Sequence, residues 1–386
     1  MIFRLNSHNV FDYLVARDLC NPSEQALSKI EPLEAKNFNL LLTFSDGYKL
    51  LVKQERHDQE GKTAGEFLSE WRIQEFLQEF PELGNLRPLV SEILHFDAEN
   101  SIIIFRYLDD YRDLMDFYTK ENTYPTEVAA AIGTLLGSIH RHTFNRQEYQ
   151  DFFCTGSEPL SSNRIPQWIN NLERIGPEIF GLVSADGLKF FALYQRYNSL
   201  GQAIAQLGNA FTPCSLTHND LKLNNILLHK DWEHESNSIV RLIDWERCTW
   251  GDPAFDLGTV ISSYVQIWLN SLVISKSLSI EESLRLAMTP LEQIQPSIAA
   301  LAKAYFHTFP EILEHRPDYL WRVTQFAGFA LIQRIEATID YQKSFGNSGI
   351  VMLQVAKTLL CRPEQSILTI FGITANELIH LSLSAA

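Results

Sequence analysis

Leu216-Thr-His218-Asn-Asp220-Leu-Lys-Leu-Asn-Asn225-Ile-Leu-Leu228 is the stretch from which the rest of this sequence is best read. Two later pieces belong with it, Val240-Arg-Leu-Ile-Asp244-Trp-Glu246 and Gly251-Asp-Pro-Ala-Phe-Asp256-Leu-Gly. Residues 225–228 and 239–243 read as short strands on either side of a polar turn. Paired as a hairpin, they set Asn225, which opens the first strand, beside Asp244, which closes the second. Asp220 lies in the loop just before. One carboxamide and two carboxylates around a small cavity are oxygen ligands of the kind that suit Mg2+, which keeps several waters and takes its other ligands from phosphates. A carboxylate outside the metal's ligands can orient and deprotonate a hydroxyl. Asp252 before Pro253 reads as a helix N-cap with proline at the first helical position. Asp256 and His140 read as structural.

Upstream, residues 38–44 and 48–54 are apolar, β-rich runs around Ser45-Asp46-Gly47, and Asp-Gly between two such runs signals a hairpin. Residues 66–80 show a helical pattern, and 93–96 with 101–107 form a second hairpin. The N-terminal part thus offers about four strands and one prominent helix. After Leu108 the pattern is mainly helical. Residues 126–142 form one helix, with Thr126 as its N-cap and Gly133 and Gly137 on one face, open to close approach by another helix. Further helices are expected at 166–172, 188–208, 280–287, 291–305, 319–341 and 348–360. The expected class is α+β, with an N-terminal part at 1–106, a hinge near 107–110 and a helical part at 107–386.

A length of 386 residues allows two or three domains or one large two-lobed one, and 45% hydrophobic content supplies a core. The 47 acids against 32 bases leave a net charge of −15, which disfavours nucleic acid and anionic membranes as partners. Five dispersed cysteines without a CxxC pair fit reduced thiols in a cytoplasm. No signal peptide is read at the N-terminus. Residues 257–275 are uncharged, but their serines, Gln266 and Asn270 favour a buried helix over a membrane span.

His-x-Asp-x4-Asn, a hairpin, a strand ending in Asp244-Trp-Glu246, and Asp-Pro-x-x-Asp-Leu close behind resemble the aminoglycoside phosphotransferase / choline kinase family of the protein-kinase-like superfamily. Leu136-Gly-Ser-Ile-His140 is similar to that family's helix ending in Leu-His. The resemblance implies a two-lobed kinase-like fold with a small antiparallel-sheet lobe and a larger helical lobe. It implies an enzyme that uses ATP and Mg2+ to phosphorylate a hydroxyl of a small molecule. Asp220 would be the catalytic base, Asn225 and Asp244 would hold the metal, and His218 would pack the loop. Glu246 would support the metal site, and Asp256 would accept backbone N–H groups of the catalytic loop.

The same resemblance implies a strand lysine on the α/β-phosphates, here Lys53, aimed by a glutamate of the next helix. Glu70 is the choice, with Glu66 and Glu75 open. Arg106-Tyr107-Leu108 would form the hinge whose backbone meets adenine. The loop Glu34-Ala-Lys36-Asn37-Phe-Asn39 takes the place of the phosphate-covering loop and has no glycine to let backbone N–H groups approach phosphate. Lys36, Asn37 and Asn39 are its candidates. That loop supports a second reading, a nucleotide-binding pseudokinase with a regulatory role. Eleven residues separate Asp244 from Asp256, too few for a segment that seats a polypeptide, so the acceptor is expected to be small. The acidic balance points to an amine-bearing one, an aminoglycoside, amino-alcohol or sugar. Its pocket is expected from Asp220, the 149–195 insertion and the C-terminal helices, with Trp321, Glu336 and Asp340 facing the cation.

Overall fold

The computed structural model describes residues 3–58, 60–154, 164–173, 175–179, 181–235, 239–275 and 277–383, so residues 155–163 of the expected acceptor segment lie outside it. The chain divides into two compact units. Among the described residues, unit 1 comprises 3–114 and 225–248, and unit 2 comprises 115–154, 164–224 and 249–383.

Unit 1 holds α1 (Val10–Ala16), β1 (Lys29–Leu33), β2 (Phe38–Thr43), β3 (Lys49–Gln54), α2 (Glu66–Glu79), β4 (Ile93–Asp97) and β5 (Ile102–Arg106). The five strands form one antiparallel sheet in the order β1-β2-β3-β5-β4. Asp46-Gly47 makes the β2–β3 turn as its sequence requires. Gly47 takes φ +87°, and Asp46 Oδ1 accepts the Tyr48 N–H at 2.9 Å. Side chains alternate across the pleat. Leu40, Leu42, Leu50, Val52, Ile102 and Ile104 pack with Val10, Phe11 and Leu14 of α1 on one face. Ile103 and Phe105 pack with Leu51 and with Phe67 of α2 on the other. Each such side chain, fully buried, contributes about 1.5–3 kcal/mol. The register pairs Lys53 with Ile103 and Leu51 with Phe105, so Lys53 projects from the α2 face.

The sheet has one strand more than the four expected. β1 contains Pro32 and is largely exposed, and proline is tolerated only because β1 is the edge strand. Residues 34–37 therefore join β1 to β2 and do not precede the first strand. A second sheet of unit 1 joins β6 (Tyr111–Asp113), β8 (Ile226–His229) and β9 (Val240–Leu242) in the order β6-β8-β9.

Unit 2 contains α3 (Leu114–Glu121, from its second residue), α4 (Thr126–Thr143), α5 (Gln147–Cys154), α6 (Arg164–Glu173), α7 (Ala185–Tyr194), α8 (Asn198–Asn209) and the strand β7 (Ser215–Thr217). There follow β10 (Thr249–Gly251), α9 (Pro253–Ser271), α10 (Ile280–Arg285), α11 (Leu291–Thr308), α12 (Glu311–His315), α13 (Tyr319–Gln342), α14 (Asn347–Cys361), α15 (Pro363–Phe371) and α16 (Ala375–Leu383). The single helix expected at 188–208 is two, broken at 195–197 without a glycine or proline to announce it. Thr126 is the first helical residue of α4 and Pro125 takes the cap position, so the Thr126 hydroxyl bonds the Glu127 carboxylate at 3.2 Å instead. Asp252 does cap α9, accepting the Ala254 N–H at 3.0 Å, and α9 is almost wholly buried. Among the described residues no helix is long and apolar enough to cross a membrane.

The two glycines of α4 have the use their spacing predicts. A Cβ on Gly133 would stand 2.1 Å from the Leu301 carbonyl oxygen of α11, and one on Gly137 would stand 2.9 Å from the Thr308 Cβ. Because the Gly133 clash is with backbone, the helices themselves must part. Gly133→Ala is therefore expected to cost about 3 kcal/mol of stability, read as a lower urea midpoint with an unchanged slope.

Candidate active site

Unit 1 brings Lys36, Lys53, Glu66, Glu70, Asp244, Glu246 and Arg247 within electrostatic reach of one another. Ile243 N–H donates to the Asn225 carbonyl at 3.0 Å, which extends the β8–β9 ladder by one bond and sets Asn225 next to the Asp244 turn. Asp244 takes φ +70°, a conformation costly for a residue with a Cβ and one that concentrates at functional sites. Trp245 is buried, and its indole N–H donates to the Leu242 carbonyl at 3.2 Å, which anchors that turn.

Glu70, one of three glutamates open as the Lys53 partner, is wholly buried, and the Trp245 backbone N–H approaches its carboxylate. Burial pushes its carboxyl up to about 8, the Lys53 ammonium pulls the other way, and the Asp244 and Glu246 charges add to the rise. Glu66 is taken by Lys36, and Glu75 accepts the Trp71 indole N–H at 3.1 Å. The Lys53 ammonium stands 4.9 Å from the Phe105 ring centroid and makes no ion pair within 4.0 Å among the described residues, so Lys53 and Glu70 interact through the field and not by contact. Glu246 is likewise raised, to about 7, by burial first and then by Asp244 and Glu66, against Lys36 and Arg247.

Against the four acids Glu66, Glu70, Asp244 and Glu246 stand Lys36, Lys53 and Arg247, so a triphosphate would settle there only with further cations. The donor set fits a hard cation. Among the described residues no group of three or more His, Cys, Asp or Glu side chains is arranged to hold a metal ion by itself.

A group protonated in the folded protein and ionised in the unfolded chain loses stability as pH rises. Glu70 folded at about 8, against an ordinary 4.5, leaves stability undiminished below pH 4.5 and lowers it as pH climbs through 8. In metal-free protein Glu70→Gln is expected to flatten that decline, by a few kcal/mol at most, in a comparison of Tm from pH 5 to 9.

The hinge residues divide their backbone groups unequally. Arg106 N–H donates to the Glu92 carbonyl and Tyr107 N–H to the Lys49 carbonyl, each at 3.0 Å. The Leu108 carbonyl accepts from Tyr111 N–H at 3.2 Å. Among the described residues the Leu108 N–H has no backbone acceptor.

Unit 2 holds the Asp220 loop. β7 pairs with β10 in the register Thr217 to Thr249, so the loop after β7 and the helix α9 after β10 leave the same two-stranded ladder. Asp256, in the first turn of α9, accepts His218 N–H at 2.7 Å on one oxygen and Asn219 N–H at 2.8 Å on the other. Asn219 takes φ +63°, and His218 Nδ1 accepts the Asp220 N–H at 3.3 Å, which fixes the backbone of the loop. Asp220 itself pairs with Lys222 at 2.8 Å, a residue 52% exposed against 9% for the aspartate. Lys222 was not among the expected site residues. The Asp-x-Lys spacing on one loop is the signal that finds it, because two residues on in an irregular turn is within reach of the carboxylate.

Lys36 and Asn37 do not stand free at the tip of the β1–β2 connection. Lys36 is ion-paired to Glu66 and Asn37 donates to the same carboxylate at 3.5 Å. Trp321 and Glu336 lie fifteen positions apart on α13, about 22 Å along its axis. Glu336 is raised to about 7 by burial and by the charge of Asp340, and its charge is felt at Tyr194.

With this geometry in hand, the likenesses to known proteins fall into place. The model of the phosphotransferase enzyme family matches residues 37–276, more than half of the chain, and the chain belongs to that family. A 4-hydroxytryptamine kinase of Psilocybe cyanescens is 23% identical over 185 residues, and the match covers 45% of this chain and less than half, 46%, of that enzyme. Among solved structures, a choline kinase from Cryptosporidium parvum Iowa II superposes over 98% of this chain and 99% of its own, with a TM-score of 0.50 and 12% identity. An ADP-bound aminoglycoside phosphotransferase covers 92% and 99% at a TM-score of 0.47 and 17% identity. The fold is kinase-like and the class α+β.

Proposed function

We propose that this member of the phosphotransferase family moves the γ-phosphoryl group of ATP, bound with Mg2+, to a hydroxyl of a small amine-bearing acceptor. The observation that carries the reading is the unit 1 cluster, in which the Lys53 charge acts on a buried Glu70 that also feels Asp244 and Glu246. Lys53 binds the α/β-phosphates, and Glu70 holds its ammonium in place. Asn225 and Asp244 hold the cation, which when bound supplies charge to offset that developing on the transferred group. Glu246 supports that site. Asp220, five residues before Asn225 along the chain, accepts the acceptor hydroxyl's proton at its carboxylate. Lys222 keeps that carboxylate oriented. The Leu108 N–H, left over in the hinge, meets adenine.

Support for an amine on the acceptor comes from unit 2. A cavity of about 650 Å3 lies between α6, α7 and α8 in the expected acceptor segment, with Glu173, Glu178, Tyr194 and Tyr197 in its wall. Its carboxylates suit an ammonium group, and the Tyr197 ring face holds one of the chain's own, the Lys357 ammonium at 3.6 Å from its centroid. The pseudokinase reading keeps one observation in its favour, the loop lysine Lys36 committed to Glu66. ADP release from Mg-ATP, run against amino-alcohols, aminoglycosides and sugars with Asp220→Ala as control, separates the two. The kinase reading predicts turnover on an amine-bearing alcohol. Tight nucleotide binding with no turnover on any acceptor would mark a pseudokinase.

A further inference from the structure

We propose that Tyr305 is a positioning residue for the Asp220 loop, acting through His140 and Asp256. The role rests on the reading of Asp220 as the base. Four buried side chains of unit 2 form a line of hydrogen bonds. The Tyr319 and Tyr305 hydroxyls are 2.7 Å apart, Tyr305 meets His140 Nδ1 at 3.0 Å, and His140 Nε2 meets Asp256 Oδ2 at 3.3 Å. Asp256 then receives the N–H groups of His218 and Asn219, the two residues before Asp220.

The polarity of this line is fixed from its acidic end. An ionised carboxylate only accepts, and Asp256 already accepts two loop N–H groups, so the His140 nitrogen facing it carries the proton. In the neutral ring Nδ1 is then an acceptor, and Tyr305 is the donor to it. Tyr305 in turn accepts from Tyr319. Burial holds both phenols well above their ordinary range, so their protons stay in place across working pH. Tyr305 thus selects one tautomer of His140, and that tautomer supplies Asp256 with its third donor. Without it the carboxylate is free to turn off the loop amides, one of which belongs to a residue at φ +63° that needs outside support. The helix geometry makes the contact possible. Gly133 and Gly137 bring α4 against α11 closely enough for Tyr305 to reach His140. Thr143, one turn beyond His140, accepts the Leu216 N–H at 3.1 Å and holds the strand that feeds the same loop.

The test uses the full chain labelled with 15N in its histidine rings, with His140→Gln to assign the His140 signals. Wild-type protein is expected to show His140 as a single neutral tautomer with Nε2 protonated. Tyr305→Phe is expected to replace it by a mixture, and to lower kcat for ADP release about tenfold with the KM for ATP unchanged. Tyr319→Phe, which leaves the Tyr305 donor in place, is expected to keep the single tautomer. A doubly protonated or Nδ1-protonated His140 in wild-type protein would overturn the proposal, as would a Tyr305→Phe spectrum identical to wild type. Wild-type protein that turns over no acceptor would sink the kinase reading, and the ring spectra would still decide whether Tyr305 sets the tautomer.

Discussion

Asp220→Ala is expected to lower turnover about 10²–10⁴-fold, the range spanned by loss of a general base, while nucleotide affinity and Tm stay close to wild type. The separation follows from how the loop is held. Its backbone is fixed by Asp256 through His218 and Asn219, and none of those bonds uses the Asp220 side chain. What the side chain does contribute is an ion pair to a half-exposed lysine, a contact worth about 0–1 kcal/mol. Lys222 left alone is solvated, so no buried charge is stranded. Isothermal titration with ADP, thermal melts and ADP-release kinetics on the one variant test the three parts together. A variant that loses nucleotide binding in proportion to turnover would mean that Asp220 builds the nucleotide site and is not the base.

Asp244→Asn is expected to lower turnover about 10²–10³-fold, the usual cost of removing one group that meets charge in the transition state. It carries a second signature that a merely disruptive change would not. Asp244 raises the carboxyls of both Glu70 and Glu246. With its charge gone, both fall back toward their ordinary range, and the penalty that builds as pH climbs from about 4.5 through 7 and 8 shrinks. Metal-free Asp244→Asn is therefore expected to melt higher than wild type at pH 8–9 and near wild type at pH 5. Mg2+ with nucleotide is expected to raise the Tm of wild type and to raise that of the variant far less, because a ligand stabilises only the fold that binds it. Equal Mg2+ responses in the two proteins would remove Asp244 from the metal site.

Much of the fold could be read from local chemistry. The Asp46-Gly47 turn, the Asp252-Pro253 helix start and the Gly133/Gly137 face each depend on a residue type whose backbone or size requirement is met nowhere else so cheaply. What escaped reading lacks such a marker. β1 hides because an exposed edge strand tolerates Pro32 and carries no alternating apolar pattern. The break between α7 and α8 falls at Gln195, Arg196 and Tyr197, all acceptable helix residues, and is set by packing against other elements. The association of 225–248 with the N-terminal unit depends on contacts far apart in sequence, which no local pattern encodes.

The same division runs through the site. Asn225 and Asp244 come together because a hairpin register puts them there, and register follows from short-range pairing. Glu70 is already the choice from its place on the helix after β3, and its burial and the Lys36 pair of Glu66 set it apart from Glu66 and Glu75. Tyr305 and Tyr319 carry no motif at all. Their hydroxyls matter only because two helices approach within reach of His140.

The most direct test of the central claim is mass-spectrometric detection of a phosphorylated acceptor after incubation of the full chain with Mg-ATP and a mixed panel of amino-alcohols, aminoglycosides and neutral sugars. One or more amine-bearing acceptors gaining a single phosphoryl group in wild-type protein, and none in Asp220→Ala, is the predicted result. Bound nucleotide with no phosphorylated acceptor in any arm, or equal product from the Asp220→Ala protein, would contradict it.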